Sequence, residues 1–312
     1  MTRVSKPLPD TLPDAVGPDA RTELVEAARV SIAKGSKSFA AASKLFDQQT
    51  RERVWMLYAW CRRCDDTADG QEHGGALSND GDPQARLAHI RQLSDAALRG
   101  EATGDAAFDA LGVVAAESAI PRPYIDDLIE GFALDSDGWR PRTEADMLRY
   151  CYHVAGVVGK MMALVMGVRP DDAETLEQAC ALGYAFQLGN IARDIREDAE
   201  AGRCYLPQDW LDAGLTHAEC ARRLAVLAAQ YESQARIGAR KLPFRSRWAV
   251  LAAAGIYGGI AREVVRRGSH AWNERVATTK AQKLGWVARA LFQALSCAID
   301  RSICNRCWRR FP

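Results

Sequence analysis

Along almost the whole chain, apolar residues recur at three- and four-residue steps, and runs of strand length that alternate apolar with polar are scarce. That pattern confines the fold to helices, each burying one stripe against its neighbours. Alanine, leucine, arginine and glutamate, which pay little to enter a helix, dominate the segments. The periodicity predicts helices near 21–34, 48–68, 83–99, 105–118, 122–133, 145–167, 171–199, 217–240, 246–268 and 280–297. Loops are marked by breakers: GQEHGGALSNDGDP (70–83), LDSDGWRPRT (134–143), GVRPDD (167–172) and AGRCYLPQDW (201–210). No tandem repeat and no composition shift divides the middle of the chain. The reading is one all-α domain over 21–297. A proline-rich, polar tail expected to be disordered precedes it (1–20), and a basic tail containing Cys and Trp follows (298–312).

Lys plus Arg number 41 and Asp plus Glu 40, a balance that gives no support for a nucleic-acid partner. The most apolar runs, VAGVVGKMMALVMGV (154–168) and WAVLAAAGIYGGIA (248–261), are shorter than the roughly 20 residues a spanning helix needs. Lys160 interrupts the first. Both read as buried core helices. Nine cysteines, an odd number, and no secretory signal point to free thiols in a reducing cytoplasm.

The chemistry concentrates in two stretches. The first, CRRCDDTADG (61–70), offers two thiols and three carboxylates. Structural zinc pairs favour tight turns, whereas 61–64 lies within a strongly helical segment, far from the second pair at 304–307; Cys61 and Cys64 therefore read as helix residues. The carboxylates say more. On a helix, Tyr58, Arg62, Asp65 and Asp69 fall within an arc of about 60°. Asp65 and Asp69, one turn apart, repel each other, and a hard divalent cation would reverse that penalty. Asp66 sits beside them.

The second stretch, LGNIARDIREDAEAGRCYLP (188–207), repeats the arrangement. Gln187, Asn190, Asp194 and Asp198 share an arc of roughly 80°, with Arg193 alongside and Arg203 and Tyr205 in the loop that follows, where Gly202 permits a sharp turn. Both aspartate pairs continue apolar helix faces, WMLYAWC and ALGYAFQL. Two such helices facing each other would line a cavity with four aspartates. That is a place for magnesium ions holding a diphosphate, with arginines to stabilise the departing charge and apolar walls to keep water from a carbocation.

These segments resemble the squalene/phytoene synthases, the head-to-head prenyltransferases. GSKSFAAASKLF (35–46) is similar to the family's Ser-x-Ser-Phe element, YAWCRRCDDTAD (58–69) to its first aspartate motif, and YCYHVAGVVG (150–159) and LGYAFQLGNIARDIREDAEAGRCYLP (182–207) to its two signatures. The likeness covers roughly 25–290 and is strongest to the phytoene-forming bacterial members. It implies the class I isoprenoid synthase bundle with a central apolar cavity. It implies magnesium, with manganese as an alternative, on Asp65, Asp69, Asn190, Asp194 and Asp198, with Asp66 as a helper. Ser36, Tyr58, Arg62, Arg193, Arg203 and Tyr205 would hold or guide diphosphate, and Tyr150 would stand near the reacting carbons. Ser38, Phe39 and Gln187 complete the substrate-side set, and Arg275 matches a C-terminal diphosphate-binding arginine less closely. Ala155, Gly156 and Gly159 would leave room for a prenyl chain, although the same small residues also suit close helix packing.

The implied reaction condenses two geranylgeranyl diphosphates through a cyclopropyl intermediate, prephytoene diphosphate, to phytoene, without NADPH. The alternatives are squalene or dehydrosqualene formation from farnesyl diphosphate, or a non-catalytic assembly factor on the same fold; retention of all the aspartates disfavours the latter. The tail RSICNRCWRRFP (301–312), basic with interleaved aromatics, suggests peripheral contact with the inner membrane. Other carotenoid-pathway enzymes are the protein partners the family implies. His153 is read as structural, and Asp135 and Asp137 as turn and cap residues.

Overall fold

In the computed structural model, residues 17–70 and 82–308 are described, apart from the side chains of Pro18, Lys37, Ser38 and 297–308. The expected tail 1–20 thus falls almost wholly outside the described residues. So do most of the 70–83 loop and the side chains of Ser38 and of the basic C-terminal tail. No strand occurs among the described residues.

The helices are α1 (Pro18–Gly35), α2 (Lys37–Ser43), α3 (Gln48–Asp69), α4 (Pro83–Leu98), α5 (Ala106–Ser118), α6 (Arg122–Ser136), α7 (Glu144–Cys151), α8 (Val157–Val165), α9 (Ala173–Glu200), α10 (Gln208–Asp212), α11 (His217–Ala239), α12 (Phe244–Arg267) and α13 (Lys280–Trp308). Local chemistry sets their limits. Asp47 caps α3 by accepting from the Thr50 amide, and Gly70 ends it in the left-handed conformation. Asp172 caps α9 through the Thr175 amide. Thr143 with Asp146 and Thr216 with Glu219 form capping boxes at the starts of α7 and α11.

Three apolar clusters form, the smallest of them, Ala239, Leu251, Ala252, Ala290 and Ala294, joining α12 to α13. Of the two larger cores, one gathers Trp60, Phe108, Leu111, Ile129 and Met161 from α3, α5, α6 and α8. The other gathers Met147, Leu188, Ile191 and Leu224 from α7, α9 and α11. α3 packs in the first core, and the aspartate-bearing half of α9, with Leu188, Ile191 and Ile195, packs in the second, so the two acidic segments belong to different cores. α12 is long and apolar enough over Phe244–His270 to cross a membrane by length and composition. It is instead built into the bundle, with Ala249, Ala252, Gly255 and Val264 buried.

The predicted helix 145–167 is interrupted by a π-turn at Tyr152–Gly156. One extra residue in a turn leaves no mark in an apolar pattern, and such turns recur at functional sites. The short helices α2 and α10 lie below the window that periodicity can detect. α6 runs three residues past its predicted end at 133, and α13 runs past 297 to Trp308. Lys160, the cation within the first apolar run, is buried with its ammonium 2.6 Å from Glu177 and over the rings of Tyr124 and Tyr152. Cys64 is a buried free thiol, and burial raises its pKa well above the ordinary value, which disfavours the thiolate that zinc requires.

Candidate active site

The first stripe stands as its spacing predicts. Arg62 on α3 reaches forward along the helix, with Nη1 3.0 Å from Asp65 Oδ2 and Nη2 2.6 Å from Asp66 Oδ1. Its Nε is buried with no hydrogen-bond partner among the described residues. Asp65 and Asp69 are partly exposed, whereas Asp66 is 4% exposed. Asp66 also borders a cavity of about 420 Å³ on the α1/α5 side, lined in part by Ala28, Ser31, Ala59 and Asp105. Asp66, expected as a helper ligand, is buried and held by Arg62, whereas Asp65 and Asp69 keep partly exposed carboxylates. One residue's step around the helix, about 100°, accounts for this.

Upstream, the Tyr58 ring lies 5.5 Å from that of Phe39 on α2. Ser36 breaks the chain between α1 and α2 and caps α2, accepting from the Phe39 amide at 3.3 Å. Burial raises the Tyr58 pKa, so its hydroxyl stays protonated at neutral pH.

On α9, Gln187, Asn190, Asp194 and Asp198 follow one half-buried face. Arg193 grips Asp194 in a two-point pair, with Nε 2.7 Å from Oδ1 and Nη2 against Oδ2. Arg275, in the segment before α13, reaches the same carboxylate at 3.5 Å and Glu197 at 2.8 Å. The arginine whose correspondence was weakest in sequence thus stands at the second aspartate segment. Gly202 turns the chain after α9 with φ +76°. Arg203 then donates to Asp69 at 3.1 Å, tying the end of α3 to the loop beyond α9.

Behind this bridge stands a pair of stacked tyrosines. The rings of Tyr150 and Tyr205 lie 4.8 Å apart, and Trp139 stacks on Tyr150 at 5.7 Å. Both tyrosine hydroxyls donate to Asp135, at 3.0 and 2.8 Å. Burial raises the Asp135 carboxyl above its ordinary range, and the two hydroxyls oppose that rise. Asp135 is the residue that sequence reasoning missed. It was assigned to a loop, but it continues the α6 stripe Leu128, Phe132, Asp135, and that spacing was the available signal. Glu197, Trp139 and Tyr257 were missed as well. Tyr257 on α12 stacks on Phe186 at 4.2 Å and lies within electrostatic reach of Tyr58 and Arg193, so aromatic rings from four helices gather between the two motifs. His153 is structural, its Nδ1 2.9 Å from the Asp127 carbonyl oxygen.

The electrostatics suit a divalent cation. Burial lifts Asp65 to about 6 against the pull of Arg62, and Asp69, Asp66 and Asp135 add to the rise. Burial also lifts Asp198 to about 6, helped by Asp194, Glu197 and Asp135. A bound divalent cation would offset both the burial of these carboxylates and their mutual repulsion. The donors are hard oxygens, carboxylates with the Asn190 amide. No group of three or more His, Cys, Asp or Glu side chains forms a metal cage among the described residues. That arrangement fits magnesium, which takes one or two carboxylates and completes its shell with phosphate oxygens and water.

Of the two readings of the small residues around α8, close packing accounts for Gly156 and Gly159. A Cβ on Gly159 would meet the Ala179 carbonyl at 2.4 Å, and one on Gly156 would meet Cys180 Sγ at 2.9 Å. From the other side, a Cβ on Gly183 would lie 2.2 Å from the carbonyl oxygen of Ala155. The room left at Gly156 and Gly159 is filled by α9, which seats the second aspartate helix.

The sequence pattern described as "Squalene/phytoene synthase" matches residues 32–282. The 15-cis-phytoene synthase of Enterobacter agglomerans is 47% identical over 284 residues, covering 86% of this chain and 95% of that protein. The phytoene synthase of Pseudescherichia vulneris is 46% identical over 294 residues, covering 89% and 94%. Among solved structures, a dehydrosqualene synthase in complex with ligand superposes with TM-score 0.77 at 26% identity, covering 89% of this chain and 99% of that one. Squalene synthase HpnC from Alicyclobacillus acidocaldarius, at TM-score 0.71 and 24% identity, covers 80% of this chain and 96% of its own and shares the fold.

Proposed function

The chain belongs to the squalene/phytoene synthase family, and we propose that it is a phytoene synthase, joining two geranylgeranyl diphosphates head to head in carotenoid biosynthesis. The single observation that carries this reading is the 47% identity to a 15-cis-phytoene synthase along nearly the full length of both chains. The meeting of both aspartate segments at the Arg203–Asp69 contact supports it.

Asp65, Asp69, Asn190, Asp194 and Asp198 would hold magnesium, which when bound screens diphosphate charge and makes the diphosphate a better leaving group. Arg62, Arg193, Arg203 and Arg275 ring the same region and supply charged donors to phosphate oxygens. In the first step the C–O bond of one allylic diphosphate breaks. The double bond of the second molecule attacks the cation, and loss of a proton closes the cyclopropane. In the second step the remaining C–O bond breaks, the cation rearranges, and a second proton leaves to give the hydrocarbon, so two diphosphates and two protons are released in all. Phe39, Tyr58, Phe186 and Tyr257 present ring faces that exclude water and favour cationic carbon. Tyr150 and Tyr205, buried and locked by Asp135, keep their hydroxyl protons directed at that carboxylate and brace the wall beside the aspartates.

The test is to incubate the protein and magnesium with geranylgeranyl or farnesyl diphosphate and identify the hydrocarbon. A forty-carbon triene core from the longer substrate is expected. Thirty-carbon product alone would overturn the reading in favour of squalene or dehydrosqualene formation.

A further inference from the structure

α13 is two-faced in an unusual sense. Its inner face is fixed to α12. The Trp248 indole donates to the Val287 carbonyl at 2.9 Å, Arg247 donates to the Ala294 carbonyl at 3.1 Å, and Ala290 and Ala294 are buried. Its outer face carries Leu284 at 70%, Phe292 at 70% and Leu295 at 43% exposure, three of the large apolar side chains the protein leaves in solvent. At about 100° per residue these three fall within an arc of about 80°, with exposed Ala281 and Ala288 between them. Lys280 and Arg289 stand on opposite shoulders of that stripe. The Arg236–Gln293 hydrogen bond, 3.1 Å, brings the end of α11 alongside, where Ile237 is also exposed.

The sequence from α13 onward is also basic. Residues 280–312 contain seven Lys or Arg and one Asp, a net of +6, whereas the whole chain is +1, so residues 1–279 carry −5. An apolar stripe with cationic shoulders, free of acidic residues over 280–296, has the chemistry of a helix that lies in the plane of an anionic bilayer. A second copy is a poorer occupant. A symmetric dimer would set this face against itself and bring Lys280 and Arg289 near their own copies, with no acidic residue between 280 and 296 to offset them.

We propose that the outer face of α13, centred on Leu284, Phe292 and Leu295, docks the protein on an anionic lipid surface. The surface stands on exposure and charge alone. Its use rests on the proposed function, in which both substrates and the hydrocarbon product are lipophilic and must enter from and leave to lipid.

The test is co-sedimentation of the full chain with phosphatidylcholine vesicles, with and without 30% phosphatidylglycerol. The wild-type protein is expected to bind the anionic vesicles, and to lose most of that binding on neutral vesicles or in high salt. Leu284→Ser with Phe292→Ser is expected to weaken binding at least tenfold, with circular dichroism, melting temperature and turnover of detergent-dispersed substrate unchanged. Absence of wild-type binding, or wild-type binding by the double variant, would overturn the proposal. A concentration-dependent dimer that the double variant abolishes would assign the face to a second copy and overturn it too. The sedimentation, circular dichroism and melting readouts do not require the reaction, so loss of the phytoene reading would leave them interpretable.

Discussion

Arg203 Nη2 lies 3.1 Å from Asp69 Oδ1, joining the last residue of α3 to the loop after α9. Asp69 ends one aspartate segment, and Arg203 follows the other by five residues. The pair is partly exposed, and such pairs stabilise a fold by about 1 kcal/mol at most. The contact therefore bears on the site more than on stability. Arg203→Ala is expected to change the unfolding free energy by no more than about 1 kcal/mol and to lower kcat/KM by about 100-fold or more, as loss of a charged donor at a transition state does. Thermal melts beside product formation check both halves.

Asp135 accepts from Tyr150 and Tyr205 in a buried pocket. Tyr150→Phe and Tyr205→Phe are each expected to cost about 1–3 kcal/mol, because each strips a partner from a buried carboxylate. Combining either with Asp135→Asn is expected to cost less than the sum of the single effects, since the partners act as one unit. Additive losses would show that the three side chains are not coupled.

Asp65 and Asp198 are each lifted to about 6, chiefly by burial. Their native forms bind protons more tightly than the unfolded chain does. Their contribution to stability is therefore fully present below the ordinary carboxylate range and is lost as pH rises towards about 6. A bound divalent cation competes with those protons. Magnesium with diphosphate is expected to raise the melting temperature much more at pH 7.5 than at pH 5. An equal rise at both would contradict the placement of these carboxylates at the metal.

Asp66 and Asp65 are adjacent in sequence and serve differently. Asp66→Asn leaves the partly buried Arg62 with a weakened partner and is expected to destabilise the fold by about 1–3 kcal/mol, while magnesium affinity stays within a few-fold. Asp65→Asn is expected to do the reverse. Calorimetric titration and chemical denaturation of the two variants decide it.

Gly183 and Gly189 make a similar contrast along α9. An added methyl meets a backbone carbonyl at 2.2 Å in the first case and nothing nearer than 3.9 Å in the second. Gly183→Ala is expected to cost about 1–3 kcal/mol or more by forcing the π-turn before α8 away from α9, whereas Gly189→Ala is expected to be tolerated in a denaturation series.

The helices and the two acidic stripes were legible because both rest on spacing within one element, which the sequence records directly. Relations between elements were legible only in part. Arg203 and Arg275 could be named from resemblance, but their meeting with Asp69 and Asp194 depends on helix placement. Asp135 was missed because a breaker-rich stretch, LDSDGWRPRT, hid the last turn of α6. Gly156 and Gly159 pointed to close packing and to an open channel alike, and only the position of α9 separates the two. Asp66 shares its neighbours' chemistry, and burial alone sets it apart.

The central claim is that the two aspartate segments form one divalent-dependent diphosphate site. Its most direct test is binding of a non-ionising thiodiphosphate analogue of the substrate, with and without magnesium, to Asp65→Asn and Asp194→Asn measured separately. The account predicts that magnesium-dependent binding is lost in each variant while both remain folded. Wild-type, magnesium-dependent binding by either one would contradict it.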